Sequence, residues 1–529
     1  MMLRLGALLV ICASCAAAGC RGTAVERDLP VTRKPQSGVL NVIPKPMRLV
    51  MGDGQFTLKP STAIVLDRGS DELRWMAGNL AENLRQVSGF DIPVLDRPAE
   101  GAIVLTLDGA DPWLGEEGYE LAVEPESVTV RAPAPAGLFY GTQTLIQAFT
   151  LGEPKGAADC LRIKDKPRFQ WRGFMLDSAR HFQQVETVER VLDLLARYKM
   201  NRFHMHLNDD EAWRLEISKY PKLTEIGAFP ASREKSMGGF YTKAQIRHIV
   251  EYARRRHITV IPEIEIPGHA TAALYCYPEF TCKGEPFPHG DEAPWYFQGV
   301  AGRKAYCPGR PETIEFLRDI LTETMDMFDT PYIHIGGDER PGGWAECPRC
   351  QQKMKDLGLA DENALQNWLM KQVSSFVDSK GRRTVAWAAN LRDGIPEGQI
   401  IQGWHAGHSA EAVRQGADTI NSECGYVYLD FKWPAIGLEQ IYSFDPVPPG
   451  VTPDQASHVL GAEAPLWTEM VSFDEVVFQR MFPRLFALSE VVWSWPQGRR
   501  FSEFEPRAQR HIEWLDAHGI GHHREGDEY

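Results

Sequence analysis

Two hydrophobic rhythms divide this chain. From about residue 40 to 165, short alternating runs sit beside one clear helical period. Ala102–Leu107 reads as a strand, and Tyr119–Val123 with Val128–Arg131 alternates apolar and polar residues around Pro125, the pattern of a hairpin. Leu73, Met76, Leu80, Leu84 and Val87 recur at helical spacing between Asp71 and Ser88, and Gly137–Phe149 reads as a second helix. These elements predict a small α+β domain without a charged cluster that demands chemistry.

From about Phe169 the rhythm changes. Short apolar runs predict strands over 174–177, 202–207, 259–264, 332–335, 384–387, 400–404, 419–421 and 462–467, with amphipathic helical segments between most of them. The first such helix carries Val188, Val191, Leu195 and Tyr198 on one face. Eight strands alternating with helices over this length predict a parallel (β/α)8 TIM barrel. The expected organisation is a signal segment over 1–19, a linker over 20–39, the α+β domain over 40–165, and the barrel with a C-terminal helix over 166–529.

Nearly every barrel strand ends in polar or aromatic residues. In order these are Arg180 and His181; Asp209 and Asp210; Glu263, Glu265 and His269; Asp338 and Glu339; Trp387; Trp404; Tyr428 and Asp430; and Trp467 with Glu469. Barrel enzymes build their sites from the C-terminal ends of several strands. The run Tyr332–Glu339 is the most pointed of these: an apolar strand, two glycines, then adjacent carboxylates. Adjacent acids repel, so one is expected to hold a proton near neutral pH. An acid beside a carboxylate is what glycosidic cleavage uses.

Bulk properties narrow the choice. A net charge of −14 without a long basic run argues against nucleic acid and polybasic membrane docking. Fourteen tryptophans are compatible with aromatic walls for sugar faces. Arg4, the apolar run Leu5–Ile11 and the small residues up to Cys20 read as a bacterial export signal ending in a lipobox-like sequence, with Ala17 where Leu is usual. The expectation is a periplasmic or cell-surface protein, an outer-membrane lipoprotein tethered through a lipidated Cys20. Plain cleavage after Ala18 is the alternative. Seven cysteines lie beyond Cys20. Cys347-Pro-Arg-Cys350 has zinc-knuckle spacing, but without a second matching pair it is read as a loop staple or free thiols, not as metal.

The ordered motifs Val42–Pro46, Gly137–Gly141, Arg172–His181, Lys199–Asp210, Trp213-Arg214, Pro262–His269, His334–Glu339 and Ala464–Glu469 resemble those of glycoside hydrolase family 20 β-N-acetylhexosaminidases. Glu211-Ala212 departs from the expected Gln-Gly, and Arg340 stands where a small or apolar residue is common. The resemblance implies exo-acting hydrolysis of terminal non-reducing N-acetylhexosamine from glycans, with the substrate's 2-acetamido group as nucleophile and no cofactor or metal. By the same resemblance Glu339 is the general acid and base, and Asp338 orients the acetamido group and stabilises the oxazolinium ion. Tyr428 bonds the acetamido oxygen, and Asp209 and His269 form a relay to Glu339. Trp387, Trp404 and Trp467 wall the pocket, while Arg180, Asp430 and Glu469 grip ring hydroxyls. A Cys282–Cys307 disulfide also has support from relatives, with Cys276 or free thiols as alternatives.

Two other readings compete. His204 and His206 face the same way on one strand, and with His334 and Asp338 could hold a metal as in amidohydrolase barrels. A catalytically inactive sugar-binding lipoprotein would require loss of Asp338 or Glu339, and both are present.

Overall fold

The computed structural model describes residues 40–529 apart from 68, 230–237, 288–302, 390, 392, 393, 434, 472, 525, 526, 528 and 529. The expected signal and linker therefore lie outside the described residues, as does most of the insertion after the third barrel strand. Residues Leu40–Tyr529 form one compact unit.

The small domain is built on a seven-stranded mixed sheet. Its strands are β1 (Arg48–Thr57), β2 (Ile64–Leu66), β3 (Val94–Leu95), β4 (Ile103–Thr106), β5 (Tyr119–Glu124), β6 (Ser127–Arg131) and β7 (Ala157–Asp165), in the order β1-β7-β5-β6-β4-β2-β3. The hairpin is β5–β6, paired antiparallel from Glu120 with Arg131 to Glu124 with Ser127. Helix α1 (Asp71–Ser88) starts where the Ser70 side chain accepts from the Leu73 N–H and stops at left-handed Gly89. Helix α2 (Pro135–Thr150) is buried at every position from Gly137 to Phe149. That all-round burial has a cause: α2 is sandwiched. A Cβ on Gly137 would lie 2.1 Å from the Gly118 carbonyl oxygen, and one on Gly141 2.4 Å from Val130 Cγ1, so both glycines let the helix close onto the sheet. From α2, the Gln147 amide donates to the carbonyls of Ile43 and Arg197, and the Tyr140 ring packs on Trp493.

The barrel is closed and parallel. Its strands are β8 (Trp171–Asp177), β9 (Arg202–His206), β10 (Thr259–Glu263), β11 (Tyr332–His334), β12 (Arg383–Trp387), β13 (Ile400–Gly403), β14 (Thr419–Asn421) and β15 (Val459–Leu466), and β15 pairs with β8 to complete the ring. Each contains or overlaps a run predicted from the sequence. Helix α3 (Val185–Arg197) follows β8 and buries Val188, Val191 and Leu195. Fully buried Arg172 on β8 locks the two domains: its guanidinium donates to both Glu117 oxygens at 3.0 and 2.7 Å and to the carbonyls of Lys199 and Phe169. At the far end, a helix over Phe501–Ala517 brings Arg507 to Glu490, with two contacts of 2.7 Å, and to the Val42 carbonyl.

The barrel interior is partly polar. Glu263 sits at its centre, bonded to His206 Nδ1, 2.7 Å from His334 Nδ1 and 2.7 Å from the Trp387 indole nitrogen. Glu463 binds His204 at 2.8 Å, Gln402 at 2.9 Å and Trp171 at 3.0 Å. Buried polar groups persist where such partners exist. Both nitrogens of His206 are engaged, Nε2 lying 3.0 Å from Asp209.

Candidate active site

The carboxylate pair sits at the end of β11, and the backbone there is unusual. Gly336, Gly337 and Glu339 have φ of 62°, 118° and 39°. Across the mouth, His269 has φ 47°. Left-handed conformations in non-glycine residues cost on the order of 1–3 kcal/mol and are held only where surrounding structure insists. Here they turn Asp338 and Glu339 back over the barrel. Behind them lies Glu265, fully buried with both oxygens unpartnered among the described residues, and burial raises its pKa well above the usual range. A Cβ on Gly336 would lie only 1.8 Å from Glu265 Oε2.

A chain of charges leads to the pair. Arg180 is ringed by Asp209 at 2.7 Å, Glu211 at 3.0 Å, Asp177 at 3.3 Å and Glu469 at 3.9 Å. Asp209 then meets His269 Nδ1 at 3.0 Å, and His269 Nε2 lies 3.7 Å from Glu339 and 4.0 Å from Asp338. Burial works against charge on His269, but Asp209 prevails and holds its pKa well above the ordinary imidazole value. Burial raises Asp209 too, but Arg180 and His269 outweigh it and keep its carboxyl well below the usual range. Asp338 is the opposite case. Burial pushes it up to about 6, Glu263 and Glu339 add to the rise, and His269 opposes it. The Asp338 Oδ1 atom is buried without a partner among the described residues. Glu339 is half exposed, its side chain open to solvent at 54%.

Aromatic rings form the walls. Trp387 and Trp467 lie 5.8 Å apart at 42°, and the Arg180 guanidinium sits 5.2 Å over the Trp467 ring. The Tyr428 ring lies 6.5 Å from that of Trp467, and the Tyr428 pKa is raised well above the phenol value by burial, with Asp430 and Asp338 adding to it. Burial pushes Asp430 up to about 7, Glu469 contributing next. Trp404 donates to the Ala388 carbonyl at 3.1 Å, and its ring lies 3.8 Å from that of His405, tilted by 34°. The structure therefore gathers Arg180, Asp209, His269, Asp338, Glu339, Tyr428, Asp430, Trp387, Trp467 and Glu469 at one barrel mouth. Trp404 stands further round, beside His405, whose pKa burial lowers and the Glu339 charge raises.

Some participants were given no role from the sequence. Asp177 holds Arg180 and also accepts from the Thr468 N–H. Glu263 holds Trp387 upright. Their signal was a carboxylate ending an otherwise apolar buried strand. His405, beside an expected wall tryptophan, was a signal left unused. Glu211, one of the two departures, occupies the Arg180 Nε donor, and burial raises its pKa to about 7.

The expected Cys282–Cys307 disulfide is not formed, while Cys347 and Cys350 are free thiols, one of the two readings expected for them. Cys282 and Cys307 are not bonded to each other, and neither are Cys347 and Cys350; the seven described cysteines are all unpaired by disulfide. Cys282, Cys307, Cys347 and Cys350 instead converge in one buried cluster. Cys276 stands apart against Gly227.

A closed (β/α)8 barrel with acids, a histidine bridging Asp209 to Glu339, and indole walls at its strand ends defines the class as a glycoside hydrolase barrel. Comparison with known proteins makes this specific. The family described as "Glycosyl hydrolase family 20, catalytic domain" matches residues 169–496, and "Glycosyl hydrolase family 20, domain 2" matches residues 39–166. The chain belongs to glycosyl hydrolase family 20. It is 37% identical over 509 residues to the beta-hexosaminidase of Porphyromonas gingivalis, covering 92% of this chain and 64% of that protein. It is 33% identical over 490 residues to the beta-hexosaminidase of Vibrio furnissii, covering 87% of this chain and 77% of that protein. Among solved structures, the GH20 β-N-acetylhexosaminidase of Streptomyces coelicolor A3(2) superposes with TM-score 0.80 at 32% identity, over 92% of this chain and 98% of that one. The β-N-acetylhexosaminidase of Bacteroides fragilis gives 0.79 at 30% identity, over 92% and 99%.

Proposed function

We propose that this chain is an exo-acting β-N-acetylhexosaminidase that removes terminal non-reducing N-acetylhexosamine by substrate-assisted retaining catalysis. The observation that carries the reading is the Asp338–Glu339 turn at the end of β11 with His269 and Asp209 behind it. Glu339, open to solvent, donates a proton to the leaving oxygen and then, as a carboxylate, draws one from water. Asp338, its side chain only 14% exposed, faces the acetamido nitrogen. As the acetamido oxygen closes on C1, positive charge develops on the oxazoline, and the Asp338 carboxylate stabilises it without solvent to compete. Intramolecular closure supplies several kcal/mol that a second enzyme carboxylate would otherwise provide. Tyr428 binds the acetamido oxygen, the three tryptophans enclose the sugar, and Arg180, Asp430 and Glu469 take its hydroxyls.

The test is the substrate. A 2-hydroxyl analogue lacking the acetamido group is expected to turn over very poorly, and a thiazoline mimic of the cyclic intermediate to bind far more tightly than the product sugar. Trapping a glycosyl ester on any Asp or Glu overturns the mechanism. Inside the barrel His204, His206 and His334 are each turned toward Glu263 or Glu463. The proposal extends to location. The Arg4–Cys20 run supports export with lipidation at Cys20 and a membrane tether, which mass analysis of the mature N-terminus tests.

A further inference from the structure

Four cysteines from two different loops meet beside the active site. Cys282 and Cys307 come from the connection after β10, and Cys347 and Cys350 from the connection after β11. All four are buried, at 9%, 0%, 4% and 0% exposure. The Sγ atoms all lie within 4.8 Å of one another, and the pairs Cys307–Cys350, Cys282–Cys350 and Cys307–Cys347 stand at 3.6, 3.8 and 3.9 Å. These are not disulfide separations. Four thiolates around zinc at about 2.3 Å would sit about 3.8 Å apart at the corners of a tetrahedron.

The backbone is shaped for the same purpose. Cys347 caps and Cys350 lies in the first turn of the helix Pro348–Leu357, whose N-terminus favours negative sulfur. The Cys307-Pro-Gly309 turn crosses directly over that knuckle: a Cβ on Gly309 would come 2.5 Å from the Arg349 carbonyl carbon and 2.7 Å from the Cys350 nitrogen. The Cys307 N–H donates to Phe280 O at 2.8 Å and the Arg310 side chain to Thr281 O at 3.0 Å, fixing the Cys282 loop against the Cys307 loop. Zinc as a borderline-soft ion without redox chemistry or ligand-field preference suits a closed, dry, all-sulfur site.

We propose that Cys282, Cys307, Cys347 and Cys350 bind one structural zinc ion, which clips the loop bearing His269 to the loop bearing Asp338 and Glu339. On binding, four thiols become thiolates and release their protons, and the four sulfurs close the coordination shell, leaving no position for water or substrate. The clip reaches the chemistry through short links. The Tyr306 N–H donates to Pro267 O at 3.0 Å, the Trp344 indole to Tyr306 O at 3.1 Å, and a Cβ on Gly268 would touch Pro341 at 3.2 Å. The metal is therefore a positioning element for the catalytic loops and takes no part in the reaction.

The test needs only the intact chain, purified without chelator. Elemental analysis should find about one zinc per chain, and zinc-edge X-ray absorption should fit four sulfurs at about 2.3 Å. Cys347→Ser combined with Cys350→Ser should lower zinc to about a tenth of that, with a lower melting temperature for any protein that folds. A mercurial that caps thiols should release the metal stoichiometrically. A disulfide between any two of the four in non-reducing peptide maps, iron in place of zinc, a nitrogen- or oxygen-rich absorption fit, or protein free of metal each overturns the proposal. The wild-type measurements stand whether or not the variant folds.

Discussion

Glu339 and Asp338 are neighbours in sequence with different surroundings, and that difference sets their tasks. Replacing Glu339 by Gln keeps the shape and removes the proton. The expected loss in kcat is on the order of 10²–10⁴ for a substrate with a poor leaving group; near-normal turnover in stopped assays would remove Glu339 from the role. In the proposed mechanism Asp338 must be ionised to stabilise a cation, and its pKa of about 6 places an acid limb in kcat/KM near that pH. The neighbouring His269 cation holds this value down, so His269→Gln should move the limb to higher pH, read from a pH–rate profile. The linkage has a second consequence. A carboxyl raised on folding stabilises the protein when protonated, and that contribution is lost as pH rises through 6. Asp338→Asn should therefore melt at a higher temperature than wild type near neutral pH while losing most of its activity.

At the level of elements, β11 shows how little sequence separates a strand from a site. Tyr332–His334 pairs with β10 and β12, and two residues later the chain is in the left-handed region. Gly336 is required twice: by its φ of 62° and by the buried Glu265 carboxyl that leaves no space for a Cβ. Gly336→Ala should cost about 1–3 kcal/mol in stability by denaturant titration and lower kcat more than it changes KM, because it moves the Asp338–Glu339 turn. Helix α2 makes the complementary point. Its period was visible, but its burial on every face was not, since that depends on the barrel helices packing its far side.

Across the whole molecule, two ion pairs, each with a buried arginine, join distant chain segments. Arg172 with Glu117 ties β8 to the small domain, and Arg507 with Glu490 ties the last helix to the barrel. Removing one partner of such a pair leaves a buried charge uncompensated and costs about 3–5 kcal/mol. Glu490→Ala should lower the melting temperature measured by calorimetry while leaving KM near wild type in protein that remains folded, because Arg507 and Glu490 lie away from the barrel mouth.

Much of this was written in the order of residues. The eight barrel strands, helices α1 and α2, the β5–β6 hairpin and the loaded strand ends follow from local periodicity and composition, because strand and helix burial repeats at short, regular spacing. Strands β1, β2, β3 and β7 escaped that reading: their pairing partners lie far along the chain, as in Arg48 with Lys164. The same limit explains the cysteines. Cys347 and Cys350 announce a knuckle by their spacing, but Cys282 and Cys307 are 68 and 43 residues from Cys350. Only the folded loops after β10 and β11 bring the four sulfurs together, and only burial, with Glu263 and Glu339 close by, raises the Asp338 pKa against the opposing His269 charge. Sequence determined which residues carry chemistry; tertiary structure decided their partners and their charge, because electrostatic and coordinative contacts depend on distance in space.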